Sequence, residues 1–203
     1  MLIVFCGVDG SGKSTYLTEI EKYLKNNGLV CSLIDPMKKG KLSQSLKKTL
    51  CNTNENINSV YDPTLVSVSY ALDMLYFMNK FYDNNSIFLS HRYDICCCSY
   101  ATLKKADINY IKLTVDQLPM PDLTVYIKID PDIAYNRILK RNKKLSWKEN
   151  KSILSEVSKI YDKEFEKLRR PKILIDNTIE ENLNDNIVLL KTQIDKILNL
   201  KRL

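Results

Sequence analysis

The chain has 203 residues, 44% hydrophobic and 27% charged, with 31 basic against 24 acidic side chains and a net charge of +7. That length supports one domain with a full core. No apolar run approaches the roughly 20 residues that a membrane-spanning helix needs, so no membrane partner is expected. The modest positive charge suits an anionic small molecule. No basic stripe interleaved with aromatic residues points to nucleic acid. The six cysteines do not make a disulfide framework. Cys96, Cys97 and Cys98 are adjacent and lack the spaced pairs of a zinc site, so they read as buried or pocket-lining thiols.

In chain order, Leu2 to Cys6 predicts a short buried strand. The apolar stretch Met1 to Cys6 has no basic n-region and runs straight into a glycine loop, so it reads as a strand rather than an export signal, with the cytoplasm as the expected location. Lys13 to Asn26 predicts a helix stopped by Asn26-Asn27-Gly28. Leu29 to Ile34 is a second strand, and Lys41 to Leu50 a short helix followed by a polar loop through Asn58. Thr64 to Tyr82 predicts a long helix with Leu65, Val68, Leu72 and Leu75 as its apolar face. Ser86 to Ser90 is a strand, followed by a helix from about Asp94 to Lys105. Leu123 to Ile129 is a strand, and Pro131 opens a helix to about Arg141. A basic stretch follows, then a helix from about Trp147 to Leu168. Lys172 to Asp176 is the last strand, and Leu183, Ile187, Leu190, Ile194 and Ile197 mark a final amphipathic helix. Five apolar strands separated by helices predict an α/β fold: a five-stranded parallel sheet flanked by helices on both faces. With no internal repeat and no long linker, residues 1–203 read as a single domain.

Gly7-Val8-Asp9-Gly10-Ser11-Gly12-Lys13-Ser14 fits the phosphate-loop pattern G-x-x-x-x-G-K-[ST] at every fixed position. It lies after a predicted strand and at the start of a predicted helix, where the mechanism requires it. The glycines let successive backbone N–H groups turn toward phosphate oxygens, and the helix N-terminus adds partial positive charge. Lys13 is placed to reach the β- and γ-phosphates of a nucleotide and Ser14 to hold Mg²⁺. Such a loop serves GTPases, motor ATPases and small-molecule kinases alike. The chain has no guanine-reading N-K-x-D, and the strand Ser86 to Ser90 ends in Ser-His-Arg-Tyr rather than an acidic pair.

These residues, taken in order, resemble the thymidylate kinase family over almost the whole chain. Val4 to Thr15 is similar to that family's F-E-G-x-D-G-x-G-K-[ST]-T, and Asp35-Pro36 to its E-P turn. Tyr70-Ala71-Leu72-Asp73 resembles F-A-A-D, and Ser90-His91-Arg92-Tyr93 resembles S-D-R-Y. Pro119 to Tyr126 resembles the strand entry L-P-x-P-D-L-T-x-Y-L, and Ala134 to Arg141 the start of a mobile lid. The resemblance implies the three-layer P-loop kinase fold with a lid at about 137–148, and phosphoryl transfer from ATP, with Mg²⁺, to a nucleoside monophosphate, dTMP first. It implies ATP contacts from Gly7, Gly10, Ser11, Gly12, Lys13, Ser14, Thr15 and Arg137. Asp9 and Asp35 would face the acceptor, and Arg92 would clamp its phosphate and the group in flight. Tyr70 would stack on the base and Tyr100 lie by the sugar, while Arg141 or Arg137 would bring the lid's catalytic cation. Asp176-Asn177-Thr178 resembles the adenine-side loop, and a homodimer is the implied assembly.

The chain also departs from the family. His91 stands where the carboxylate before the clamp arginine is expected. Met74 takes the place of the base-reading arginine and cannot donate its hydrogen bond. Cys96 and Cys97 fall where polar groups are expected beside the base, and the arginine near Trp147 is missing, with Lys148 adjacent. Two other readings stay open at this level: a changed nucleotide or other phosphate acceptor, and a nucleotide-binding protein without catalysis.

Overall fold

The computed structural model describes residues 1–37, 40–48 and 60–201. Five strands, β1 (Leu2–Cys6), β2 (Cys31–Ile34), β3 (Ile87–His91), β4 (Leu123–Lys128) and β5 (Lys172–Asp176), form one parallel sheet in the order β2-β3-β1-β4-β5. The helices are α1 (Lys13–Asn26), α2 (Lys41–Lys48), α3 (Pro63–Phe81), α4 (Asp94–Leu103), α5 (Ile108–Val115), α6 (Pro131–Leu139), α7 (Lys151–Lys167) and α8 (Leu183–Lys201). Every residue of β1 is buried because both faces of the sheet are covered. Successive side chains point to opposite faces: Ile3 and Phe5 pack with Tyr16, Ile20 and Leu190 beneath α1 and α8. Leu2 and Val4 pack with Met74 and Met78 beneath α3, and Cys6 with Tyr126 and Tyr161 toward α7. All strands are parallel, so their C-terminal ends meet along one edge, where Gly7, Arg92 and Asn177 leave the sheet.

The predicted strands and the final amphipathic helix are present, with local differences. The second strand begins at Cys31 rather than Leu29: Gly28 (φ +73°) closes α1 in a left-handed turn, and Leu29 N–H donates to Leu24 O at 3.0 Å, which ties Leu29 back to the helix. The helix expected from Trp147 is a 3₁₀ turn, Trp147–Glu149, broken from α7 at Asn150, whose side chain caps Ser152 N–H. Helix α5 was not predicted; Asp107 caps it by accepting from Asn109 N–H at 3.0 Å. The predicted polar loop through Asn58, and the last two residues of the helix predicted to end at Leu50, lie outside the described residues.

The predicted apolar face of α3 requires correction. Leu65 and Leu72 are exposed, at 49% and 41%, and the helix instead buries Val66, Ser67, Ser69, Ala71, Asp73, Met74 and Met78. Small residues win the inner face because α3 packs against α2, α4 and α5 as well as covering the sheet. Asp73 is buried because it works as a cap: its carboxylate accepts from Leu42 N–H at 2.9 Å and Ser43 N–H at 2.8 Å at the start of α2.

The five described cysteines are free and buried. No helix among the described residues is long and apolar enough to cross a membrane. Behind the site, Arg170 grips Asp94 through two parallel hydrogen bonds, Nη1 to Oδ2 at 2.6 Å and Nη2 to Oδ1 at 2.9 Å, while its Nε donates to Thr124 Oγ1 at 2.8 Å. This pair ties the end of α7 to the first turn of α4 and to β4. Arg170→Ala leaves a mostly buried carboxylate unpaired and is expected to lower the unfolding free energy by about 2–4 kcal/mol, read from urea midpoints. An unchanged midpoint would show the pair to be ornamental.

Candidate active site

The glycine loop turns immediately after β1. Gly7, Gly10 and Gly12 have φ of +136°, +84° and +93°, in the left-handed half of the map that side-chain-bearing residues rarely adopt. Gly12 has a second reason to be glycine: a Cβ there would stand 2.6 Å from Asn177 Nδ2. Asn177, buried at the end of β5, donates from that nitrogen to Ser11 O at 2.8 Å and accepts at Oδ1 from Tyr16 O–H at 3.0 Å. Asn186 Nδ2 donates to Asp176 O at 2.8 Å and to Tyr16 Oη at 3.3 Å. The loop's curvature is thus braced from the far strand. Asn177, expected on the adenine side, serves in this structure as a brace of the loop.

Lys13 opens α1 and folds back over the loop. Its Nζ donates to Gly7 O at 2.9 Å, Val8 O at 2.6 Å and Ser11 Oγ at 3.3 Å. Burial pushes Lys13 down to about 7, and the charges of Arg92 and Lys148 act in the same direction against the pull of Asp9. Ser14 and Thr15 are exposed in the first turn of α1, while Ser11 is fully buried.

Arg92 sits just beyond β3 at φ +72°, an uncommon conformation for a residue with a side chain. Two bonds fix it there: Arg92 N–H donates to Phe5 O at 3.0 Å, and Ser90 Oγ donates to Arg92 O at 2.8 Å. The guanidinium is thereby aimed at the loop, where Nη2 pairs with Asp9 Oδ1. Lys148 reaches the other oxygen, with Nζ 2.9 Å from Asp9 Oδ2. Burial alone would raise the Asp9 carboxyl, but Arg92, Lys13 and Lys148 together outweigh it and hold it well below the usual carboxylate range. Tyr100 supports the arginine, with Arg92 Cζ 5.6 Å from its ring centroid. Burial pushes the Tyr100 hydroxyl up to about 12.

Sequence reasoning brought Gly7, Asp9, Gly10, Ser11, Gly12, Lys13, Arg92 and Tyr100 to one place, and the structure assembles them there. Asp35 and His91 meet beside them, with His91 Nδ1 3.1 Å from Asp35 Oδ2, so the residue in the carboxylate position takes an acid as its neighbour. Tyr70 is half-buried on α3. Met74 and Cys96 are fully buried and Cys97 nearly so, all three as core side chains rather than pocket walls. Arg137 and Arg141, preferred as lid cations, make no ion pair among the described residues, and Arg141 is exposed. The loop cation that does reach the site is Lys148. Its signal was present in Ser146-Trp147-Lys148-Glu149, the spacing of a capping box: Glu149 Oε2 accepts from Ser146 N–H and Oγ, both at 2.7 Å, which fixes the turn that carries Lys148.

A parallel sheet in this strand order, with a phosphate loop between β1 and α1 and an arginine aimed at it from β3, defines a P-loop nucleoside monophosphate kinase. A family model described as Thymidylate kinase matches residues 5–187. The chain belongs to the thymidylate kinase family. It is 30% identical over 162 residues to a probable thymidylate kinase of Sulfolobus acidocaldarius, covering 79% of this chain and 80% of that protein. It is 27% identical over 164 residues to one of Methanobrevibacter smithii, covering 79% of each. With the thymidylate kinase of Thermosipho africanus it shares 28% identity over 182 residues, covering 88% of this chain and 90% of the relative.

Lys13 gives the fold a pH signature. Above about pH 7 the folded protein has released a proton that the unfolded chain still holds at this lysine, up to the ordinary lysine range. The unfolded state therefore binds more protons, and stability rises with pH across that window. The wild-type unfolding free energy minus that of Lys13→Met is expected to climb by up to about 1.4 kcal/mol per pH unit between roughly pH 7 and 9 in urea titrations. A flat difference would place the ammonium in a solvated site.

Proposed function

We propose that the protein transfers the γ-phosphoryl group of ATP to dTMP, and that Asp9, Arg92 and Lys148 form its reacting centre beside Lys13. The observation that carries this reading is the Asp9 carboxylate held between two cations, one from the end of β3 and one from the segment after α6, at the mouth of a phosphate loop. Phosphoryl transfer asks for positioning and charge neutralisation more than for covalent chemistry, and these residues offer both. Loop amides and the Lys13 ammonium hold the donor's phosphates, and Lys13 exchanges its loop carbonyls for phosphate oxygens, which restores its full charge. Arg92 has a buried Nη1 without a hydrogen-bond partner among the described residues, a donor available to the acceptor phosphate. Asp9 orients the acceptor's sugar hydroxyl, and Tyr100 packs by the sugar. Tyr70 offers the stacking face for the base. Fully buried Met74 reads no base edge. Arg137, whose charge is felt at Tyr16, lies on the donor side.

The residues fit a magnesium ion carried in with the nucleotide. Ser14 presents an exposed hydroxyl at the loop mouth, and no group of three or more His, Cys, Asp or Glu among the described residues forms a metal cage of its own. Ser14 would hold such an ion, which would supply charge neutralisation on the phosphates.

We place the reaction in the cytoplasm, a reading supported by the free thiols, and residues 1–203 act as one domain whose lid is the segment about 137–148. A homodimer is supported by an apolar stripe of Leu65, Leu72, Tyr76, Tyr110 and Leu113 on α3 and α5, each between 41% and 68% exposed. Leu72→Glu is expected to convert the dimer to monomer in light scattering; a wild-type monomer would remove the proposal.

The catalytic reading is tested by ADP release with ATP, Mg²⁺ and each common nucleoside monophosphate. dTMP should turn over fastest, and Lys13→Ala should abolish the rate. Arg92→Ala should lower kcat by about 100-fold or more, and Lys148→Ala by roughly tenfold to 100-fold, because each removes charge from the group in flight. Arg141→Ala should change it little. No turnover with any monophosphate would overturn the assignment.

A further inference from the structure

Trp147 is the single tryptophan of the chain and precedes Lys148. It packs edge-on against Tyr100 of α4, with ring centroids 6.4 Å apart. Lys104, which caps the end of the same helix, places Nζ 5.1 Å from the centroid of the indole. Tyr100 is held in turn: Tyr161 of α7 meets it edge-on at 6.3 Å, and the Arg92 guanidinium lies 5.6 Å from its ring. Arg92 pairs with Asp9, and Asp9 with Lys148. The contacts therefore close on themselves, from Trp147 through Tyr100, Arg92, Asp9 and Lys148 back to Trp147.

This circuit has two independent seams. One is ionic, Lys148 on Asp9. The other is aromatic: the indole packs edge-on against Tyr100, a contact that salt does not screen, with the Lys104 ammonium over the indole ring. A long lysine side chain has many rotamers and cannot by itself hold its backbone in place. The bulky, stiff neighbour supplies what the lysine lacks. Only two residues are needed to bring both seams together, because Ser146 and Glu149 tighten them into a 3₁₀ turn.

We propose that Trp147 is a positioning residue: it docks the segment between α6 and α7 onto α4 and so delivers Lys148 to Asp9. The inference rests on the catalytic reading above and adds how the segment's cation is brought to its place. Trp147 touches no reacting atom; it acts through Lys148.

Four proteins test it kinetically with ATP, Mg²⁺ and dTMP: Trp147→Ala, Trp147→Phe, Lys148→Ala and the double variant Trp147→Ala/Lys148→Ala. Trp147→Ala should lower kcat roughly tenfold with KM values within about twofold, and Trp147→Phe should recover most of the rate. The double variant should be no slower than Lys148→Ala, since the indole has nothing left to deliver. A wild-type kcat in Trp147→Ala, or losses that multiply in the double variant, would overturn the inference. A second arm needs no substrate and so separates failure of this idea from failure of the catalytic reading. Emission from the lone indole should become about twofold more quenchable by acrylamide in Lys104→Ala. Unchanged quenching in both Lys104→Ala and Tyr100→Ala would show that the ring is not docked there, whatever the enzyme phosphorylates.

Discussion

The carboxylate of Asp9 stands among three basic side chains, Lys13, Arg92 and Lys148, and the rest of the site is arranged around that imbalance. Two of the cations are almost fully buried, where an unpaired charge is costly. A single carboxylate cannot balance Arg92 and Lys148 together, so the centre keeps a surplus of positive charge at this edge of the sheet even where Lys13 has given up its proton. In the function proposed above, that surplus is what draws the phosphates in. It also explains why Lys13 turns to loop carbonyls: they are the acceptors within reach once Asp9 is engaged by Arg92 and Lys148.

The fold supplies the geometry that makes this convergence possible. The parallel sheet puts the ends of β1, β3 and β5 side by side, so residues distant in sequence leave it next to one another. Arg92 pays for its aim with an uncommon backbone conformation, locked by Phe5 and Ser90. Lys148 arrives differently, on a capped turn rather than a strand end. The centre therefore combines one cation fixed at a strand end with one carried on a connecting segment.

Much of this was legible from sequence, for reasons that differ by element. The strands read correctly because each is a short apolar run bounded by turn residues, and the phosphate loop because its glycines and lysine have fixed spacing. The face of α3 did not, because hydrophobicity is spread all round it. Periodicity favoured Leu65 and Leu72, while close packing favoured Ser67, Ser69 and Ala71. Helix α5 escaped notice because it is short. Lys148 was hidden among other basic residues, since charge alone says nothing about which lysine faces inward; the capping-box spacing held that information. The pairing of His91 with Asp35 joins two positions 56 residues apart, and no local pattern announces it.

The brace on the phosphate loop reaches across the whole chain. Residues 7–14 are made well before Asn177, yet the shape of their turn leans on it, and Asn177 and Tyr16 connect onward to Asn186. A growing polypeptide on the ribosome thus carries the loop's residues long before it carries their support. The nucleotide-binding mouth is completed only when β5 and the start of α8 have been synthesised and have docked, so affinity for phosphate emerges late, as a property of the finished fold.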